Sequence, residues 1–171
     1  MSIKIVATAS GSLTPLTAVG QNVVNGDFLI VRNRIVPDFT TGDGSDEETS
    51  WTFFFNEDPN FGKFSPSQPL TSALLTLTLT PKNEGVTTDA VWIETLEVIG
   101  GNPIAPEIQT LPVNVTNTIT IELVDRLPSY TSTAILGILF SSLGGRISMR
   151  YNDDAIISSA TLELTQEDQV P

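Results

Sequence analysis

Hydrophobic and polar residues alternate along much of the chain with a period of two, the pattern of strands that bury one face. Residues 75–80 alternate leucine with threonine, and Pro81 closes this run. Residues 116–123 repeat the pattern, with Ile119, Ile121 and Leu123 on one face and polar side chains on the other. Threonine supplies a polar face that still favours extended backbone. Both runs are therefore predicted to be half-buried strands.

Further strands are predicted at segments that turn-forming residues separate at short spacing. These segments are residues 3–8, 27–36, 51–56, 90–99, 134–141, 146–151 and 158–165. Helical periodicity is missing except for a turn or two within residues 123–130, where Pro128 would end a helix. The sequence therefore predicts an all-β fold, an antiparallel, jelly-roll-like β-sandwich of roughly nine or ten strands that forms a single domain over residues 1–171.

Two local features refine this prediction. Gly144 and Gly145 lie between residues 134–141 and 146–151, and they fit a two-residue hairpin whose central positions need positive φ. The hydrophobic phase shifts near Glu94 and Thr95, which indicates either a β-bulge or a strand that is partly buried on both faces.

The pattern Ser-Ala-x-Leu-x-Leu-Thr occurs twice, at residues 72–78 and 159–165. An internal duplication would explain it, with each copy opening an equivalent strand in one of two sheets. Convergence is the alternative, because any half-buried strand entered from a serine-rich turn would use these residues.

The segments TSALLTLTLT, LPVNVTNTITIELVD and DDAIISSATLEL resemble those of jelly-roll, galactose-binding-like sandwiches in bacterial, especially cyanobacterial, hypothetical proteins. The resemblance covers the chain after about Phe64. It implies a β-sandwich and, for relatives of the carbohydrate-binding kind, a role at a surface or on a glycan. It carries no ligand residue over to this sequence.

Charge and composition exclude several classes of partner. The chain has 171 residues, 40% of them hydrophobic, and a formal net charge of −12. That length and hydrophobic content suffice for one domain with a buried core. The negative field repels phosphate backbones and anionic membranes, so nucleic acid and membrane partners are not expected, and an unknown protein or glycan remains.

The chain contains neither cysteine nor histidine. This removes thiolate nucleophiles, disulfides, the usual zinc sites and imidazole acid–base catalysis. Carboxylate or hydroxyl chemistry remains, with or without a hard cation. No signal peptide and no transmembrane segment is recognisable in the chain, and the compartment stays open.

An acidic segment leads into the third predicted strand. It contains no lysine or arginine until Lys63, and its acidic residues are Asp38, Asp43, Asp46, Glu47, Glu48, Glu57 and Asp58. Its spacing does not fit an EF-hand, because Glu48 stands where the sixth position from Asp43 requires glycine. Residues 43–48 are therefore interpreted as a solvated acidic loop, with a calcium site of another kind as the alternative and calcium as the only cofactor considered.

The aromatic run Trp-Thr-Phe-Phe-Phe follows this segment. Alternation places Trp51, Phe53 and Phe55 on one strand face and Phe54 on the other, which predicts burial on both faces. If Phe54 is exposed instead, it marks an oligomer interface or a stacking site. Trp92 is predicted to lie in the core.

No catalytic pair stands out among the carboxylates. Glu94 with Glu97 and Asp153 with Asp154 are candidate pairs of glycosidase acids, but solvent exposure or a turn explains each pair. Residues 100–103 lack the helix that a phosphate-binding loop needs, so they are interpreted as a connector.

The sequence contains two further motifs. Residues 114–116 fit a glycosylation sequon at the start of a strand. Arg146 and Arg150 share a strand face with Ser148, and they are predicted to pair with acids and protect an exposed edge.

These observations favour a non-enzymatic β-sandwich that acts as a binding or structural module and self-associates through an apolar sheet face. One alternative is a carbohydrate-binding module with a calcium-assisted loop at residues 43–48. A second alternative is a carboxylate-type enzyme that acts on glycosides, which needs two acids facing each other across a cleft.

Overall fold

The computed structural model describes residues 2–32, 38–82, 89–100, 106–141 and 144–168. These residues form twelve strands, two α-helices and two short 3-10 helices. The strands are β1 Ser2–Ser10, β2 Ala18–Val19, β3 Val23–Asn25, β4 Phe28–Arg32, β5 Thr40–Thr41, β6 Glu47–Phe54, β7 Leu70–Pro81, β8 Ala90–Ile93, β9 Ile99–Gly100, β10 Asn117–Glu122, β11 Arg146–Asp153 and β12 Ala155–Glu167. The helices are α1 Pro106–Gln109 and α2 Ser132–Leu139, and the 3-10 helices span Phe55–Glu57 and Phe61–Lys63.

The strands form two main sheets that enclose a common core. One sheet has the order β1-β12-β7-β10, and the other has the order β3-β4-β6-β11-β8-β9, with β2 and β5 as a separate pair. All strand pairs are antiparallel, and the chain crosses repeatedly between the two sheets. The predicted all-β, jelly-roll-like sandwich is confirmed. The described strands number twelve rather than nine or ten, because β2, β3, β5 and β9 are too short to show alternation.

The alternating apolar side chains fill the space between the sheets, as predicted. Leu75, Leu77 and Leu79 of β7 are fully buried, and Trp51 and Phe53 face them from the six-stranded sheet as part of the same core. Burying side chains of this size contributes about 1.5–3 kcal/mol each. Hydrophobic burial is therefore the main stabilising contribution to the sandwich.

The segment predicted as a strand at residues 134–141 forms α2 instead. The Thr131 hydroxyl caps this helix by accepting the Ala134 N–H at 3.1 Å. A continuous apolar run does not distinguish a buried helix from a buried strand. The predicted hairpin is therefore wrong, although Gly144 and Gly145 do have positive φ values of 54° and 76°. Residues 123–130 form turns and no helix.

Other predicted boundaries also change. Residues 90–99 form β8 and β9, which pair as a hairpin around Thr95 at φ 80°, so the predicted bulge is a chain reversal. β6 begins at Glu47 and ends at Phe54, where a 3-10 helix replaces the predicted end of the strand. β4 ends at Arg32, and residues 33–36 of the strand predicted there lie outside the described residues.

The two copies of the Ser-Ala-x-Leu-x-Leu-Thr motif pair with each other in the middle of the four-stranded sheet. Leu75 lies opposite Leu162, and Ser72 and Thr78 lie opposite Thr165 and Ser159. The duplication alternative placed the copies in separate sheets, and the structure does not bear out that placement. The two copies instead lie on neighbouring strands of one sheet. Their shared alternation of apolar and polar residues directs the leucines of the motif into the core on both strands.

None of the helices within the described ranges is long and apolar enough to cross a membrane.

Candidate functional site

Phe54 lies on the outer face of the six-stranded sheet and is 42% exposed. Alternation along β6 turns Trp51 and Phe53 into the core and directs Thr52 and Phe54 outward. The prediction that aromatic residues are buried on both faces of this strand is wrong, because the described residues leave the Phe54 ring partly uncovered. The alternatives that followed from an exposed Phe54, an interface or a stacking site, are therefore the relevant ones.

A groove of about 570 Å³ runs beside Phe54, between the end of β6 and strand β1. Its lining residues are Val6, Ala7, Thr8, Asp27, Thr52, Phe54, Glu57, Asp58 and Pro59. An aromatic ring thus lies among carboxylates and a hydroxyl in one depression. The lining of this groove is more polar than apolar, so a ligand would be held mainly by hydrogen bonds beside one exposed ring.

Two carboxylates hold β1 as the wall of this groove. Asp58 Oδ2 accepts the Val6 N–H, and Asp27 Oδ2 accepts the Ser10 N–H, both at 2.8 Å. Since N–H directions alternate along a strand, the Thr8 N–H also points away from β12, between the two carboxylates. No hydrogen bond from the Thr8 N–H to another described residue is present, so it faces the groove as a donor.

The turn from β3 to β4 positions Asp27. Gly26 adopts φ +62°, and a Cβ there would collide with the Ser10 carbonyl oxygen. The same oxygen accepts the Asp27 N–H at 2.9 Å, so backbone and side chain of Asp27 both bind Ser10. Asp27 was not singled out in the sequence, although Asn25-Gly26-Asp27 is a recognisable turn signal.

Two smaller depressions extend the groove across the outer face. A depression of about 330 Å³ shares Asp27, Thr52 and Phe54 with the first, and it also contacts Glu94 and Ser148. A third, of about 260 Å³, shares Glu94 and Ser148 with the second. The depressions of about 570 and 330 Å³ share Phe54 and together form the Phe54 groove.

Arg150 binds two carboxylates on the same face. Its Nε donates to Glu94 Oε1 at 2.7 Å and its Nη1 to Glu48 Oε1 at 2.6 Å, and the bond to Glu94 is the main reason that the Arg150 pKa is raised. The predicted pairing with acids is confirmed for Arg150. It is wrong for Arg146, which forms no ion pair with a described residue and lies over the Phe54 ring instead. The predicted edge position is wrong, because β11 lies inside the sheet between β6 and β8. Trp92 lies opposite Arg150 and is only half-buried, so its predicted place in the core is also wrong.

The acidic segment does not come together as one site. Glu47 is buried at 2% exposure, and its carboxylate accepts the N–H groups of Gly42 and Gly44. Burial raises the pKa of Glu47. Asp46 lies 3.7 Å from Arg32, whereas Asp38 and Asp43 are exposed. The prediction of a solvated loop is therefore wrong for Glu47, whose side-chain oxygens accept two backbone N–H groups in the turn before β6.

Within the ranges described above, no group of three or more potential ligand side chains is arranged to hold a metal ion.

In the two candidate pairs of catalytic acids, the three carboxylates that the structure describes have separate partners. Glu94 binds Arg150, whereas Glu97 Oε2 accepts a hydrogen bond from Ser129 Oγ at 3.3 Å. Asp154 Oδ1 accepts the Asp46 N–H at 2.6 Å, and the side chain of Asp153 lies outside the described structure.

No protein-family model and no curated protein matches the sequence. Among solved structures, the chain is similar to the Podospora anserina GH26-CBM35 β-(1,4)-mannanase, with a TM-score of 0.35 and 11% sequence identity. The match covers 94% of this chain and 29% of the mannanase chain, so this chain spans less than a third of that protein's length.

Proposed function

We propose that this chain is a non-enzymatic carbohydrate-binding module and that the Phe54 groove is its binding site. The exposed ring of Phe54 is the observation on which the proposal rests. An aromatic ring offers a rigid apolar surface at little cost in conformational entropy, on which the apolar face of a pyranose ring can lie.

The polar groups around Phe54 complement sugar hydroxyls. The carboxylates of Asp27 and Glu57 accept hydrogen bonds, the Thr52 hydroxyl accepts or donates, and the Thr8 N–H donates. Asp27 and Asp58 are fixed by their bonds to β1, so the groove is preorganised and its ligand does not have to order it.

A binding role is favoured over catalysis because Asp27, Asp58 and Glu94 already have structural partners. Glu57 is the one acid of the groove without a partner among the described residues. Asp27 and Asp58 each accept a backbone N–H of β1, and Asp58 Oδ1 also accepts the Asn60 N–H at 2.8 Å. A glycosidase needs one carboxylic acid and one carboxylate free to act on the two sides of the glycosidic bond. The site proposed here also differs from the loop at residues 43–48, where Glu47 is buried.

The proposal is tested by titrating the ¹⁵N-labelled protein with soluble oligosaccharides of mannose, glucose, xylose, galactose and N-acetylglucosamine. Binding should shift the amide resonances of Thr8, Thr52 and Phe54 with one of these sugars. Phe54→Ala should weaken that binding at least tenfold. Phe39→Ala is the matched control, since Phe39 is 40% exposed and also lies under an arginine, but it is not part of the groove.

Three results would overturn the proposal. They are the absence of shifts with every sugar, equal losses in the two phenylalanine variants, and release of reducing sugar during incubation. Repeating the titration with calcium and with a chelator separates a calcium-assisted site from the proposed one, whose affinity should be the same under both conditions.

A further inference from the structure

The two edges of the four-stranded sheet differ in how their backbone groups are satisfied. On the β1 edge, Asp58 and Asp27 accept the outward N–H groups of Val6 and Ser10, and Asn60 Nδ2 donates to the Lys4 carbonyl at 3.3 Å. These side chains occupy the positions that another strand would need. The β1 edge is therefore blocked against strand addition.

The opposite edge is β10. The Leu123 N–H donates to the Ala73 carbonyl of β7, so odd-numbered residues of β10 direct their backbone groups towards β7. By alternation, Thr118 and Thr120 direct theirs away from the sheet. In the part of the chain that the structure describes, no hydrogen bond uses the backbone N–H or C=O groups of these two residues.

The side chains at the outward-facing positions of β10 are threonines, which are small and uncharged. The Thr118 and Thr120 hydroxyls pair with Thr78 and Thr76 of β7 at 3.0 and 3.2 Å, and both residues are exposed. No charged residue, proline or bulge interrupts Asn117 to Ile121. These are the devices that commonly prevent edge strands from pairing.

Glu122, the one charged residue of β10, is directed back onto its own molecule. Its carboxylate accepts hydrogen bonds from Ser72 Oγ at 2.5 Å and from the Ala73 N–H at 2.7 Å. These hydrogen bonds hold its carboxylate towards β7 rather than along the outer edge.

We propose that the β10 edge pairs with the β10 edge of a second copy, antiparallel and about a two-fold axis, to give a continuous eight-stranded sheet. An antiparallel edge is complementary to itself, because each free N–H meets a free C=O of the copy. The rows of hydroxyls on the outer face then continue from one molecule to the other. This proposal is independent of the Phe54 groove.

The association is expected to be weak and dependent on salt. A single strand edge buries little area compared with a standard interface, and each copy carries a net charge of −12. Screening this repulsion should strengthen the association. In sedimentation equilibrium, the mean mass should rise from 18.4 kDa towards twice that value with protein concentration, and at lower concentration in high salt.

Two substitutions on the edge and one matched control test the position of the contact. Thr120→Pro removes an N–H that bonds to no other described residue, so the monomer should fold while pairing is lost. Thr118→Lys places a charge on the edge, and Thr161→Lys places the same charge on the same sheet face but on the interior strand β12. Only the two edge variants should stay monomeric, and thermal unfolding checks the fold of each.

A wild-type protein that stays monomeric at its highest soluble concentration in high salt overturns the proposal. So does a Thr118→Lys variant that associates like the wild type. Equal loss of association in Thr118→Lys and Thr161→Lys would place the contact on the sheet face and reject the edge. If Thr120→Pro fails to fold, the two lysine variants decide.

Discussion

The guanidinium carbon of Arg146 lies 5.1 Å from the centre of the Phe54 ring. The two residues are directly opposite each other on β11 and β6, so the antiparallel register fixes the contact. Arg146 therefore limits the orientations of the ring beside the groove. An exposed phenylalanine held in this way acts as a fixed surface.

Replacing Arg146 by alanine should have two effects. The unfolding free energy should fall by about 0.5–1 kcal/mol, the usual size of an exposed cation–π contact. Sugar binding at the Phe54 groove should weaken several-fold, since the ring is no longer held. Urea unfolding and the oligosaccharide titration measure these effects. Arg146→Lys should retain part of both, and an unchanged stability in Arg146→Ala would show that the contact is not maintained in solution.

Replacing Glu47 by glutamine should change how stability depends on pH. Because burial raises the pKa of Glu47 above its ordinary value of 4.5, the folded state binds this proton more tightly than the unfolded chain. The contribution of Glu47 to stability is then fully present below pH 4.5 and is lost as pH rises through the folded-state pKa. Relative to Glu47→Gln, the wild type should lose up to about 1.4 kcal/mol per pH unit in that window.

Urea unfolding at several pH values, from below 4.5 to neutral, measures this difference. Glu167→Gln, at an exposed position, controls for the change in net charge. A difference between wild type and Glu47→Gln that does not vary with pH would contradict the raised pKa. If the wild type instead gains stability relative to Glu47→Gln as pH rises, the N–H groups of Gly42 and Gly44 stabilise the carboxylate by more than burial destabilises it.

Truncating Leu162 should be strongly destabilising. Leu162 is fully buried and lies opposite Leu75, where the two motif copies pair. Leu162→Ala should lower the unfolding free energy by about 2–5 kcal/mol, through lost burial and the cavity left behind. The neighbouring Thr161 faces outward, and Thr161→Ala should cost less than about 1 kcal/mol. Similar losses in the two variants would contradict the assignment of faces.

Removing the Arg150 guanidinium should have a small effect that depends on salt. Its side chain is 40% exposed, so solvent screens its bonds to Glu94 and Glu48. Arg150→Ala should lower stability by less than about 1 kcal/mol at low salt. The difference should shrink near 1 M salt, where charges are screened beyond about 3 Å. A larger loss that high salt does not reduce would mean that Arg150 stabilises the sheet mainly by packing.

The long strands of the sandwich could be predicted because a strand that buries one face has apolar and polar residues in alternation. β7 and β10 show it most clearly, and their buried and exposed sides agree with the sequence pattern. α2 was missed because residues 134–140 are almost entirely apolar, and such a run has no period to detect. The short strands were missed because two or three residues are too few for a pattern.

The groove could not be predicted, because its walls are brought together by contacts between distant residues. Asp58 reaches Val6 across 52 positions of the sequence, and nothing near either residue indicates this pairing. The exposure of Phe54 likewise depends on which part of the sheet the rest of the chain leaves uncovered. Glu47 belongs to an acidic segment that is typical of a solvated loop, and only the fold shows that the carboxylate is buried.

The position of β12 has a consequence for biosynthesis. It is the last strand of the described chain, yet it lies between β1 and β7, with Ile5 opposite Leu164. While the chain emerges from the ribosome, neither β1 nor β7 can pair with β12, the strand that lies between them. Until β12 is synthesised, β7 has only β10 as a neighbouring strand. We therefore expect the nascent chain to fold slowly, because the four-stranded sheet cannot close before residues 155–167 have been synthesised.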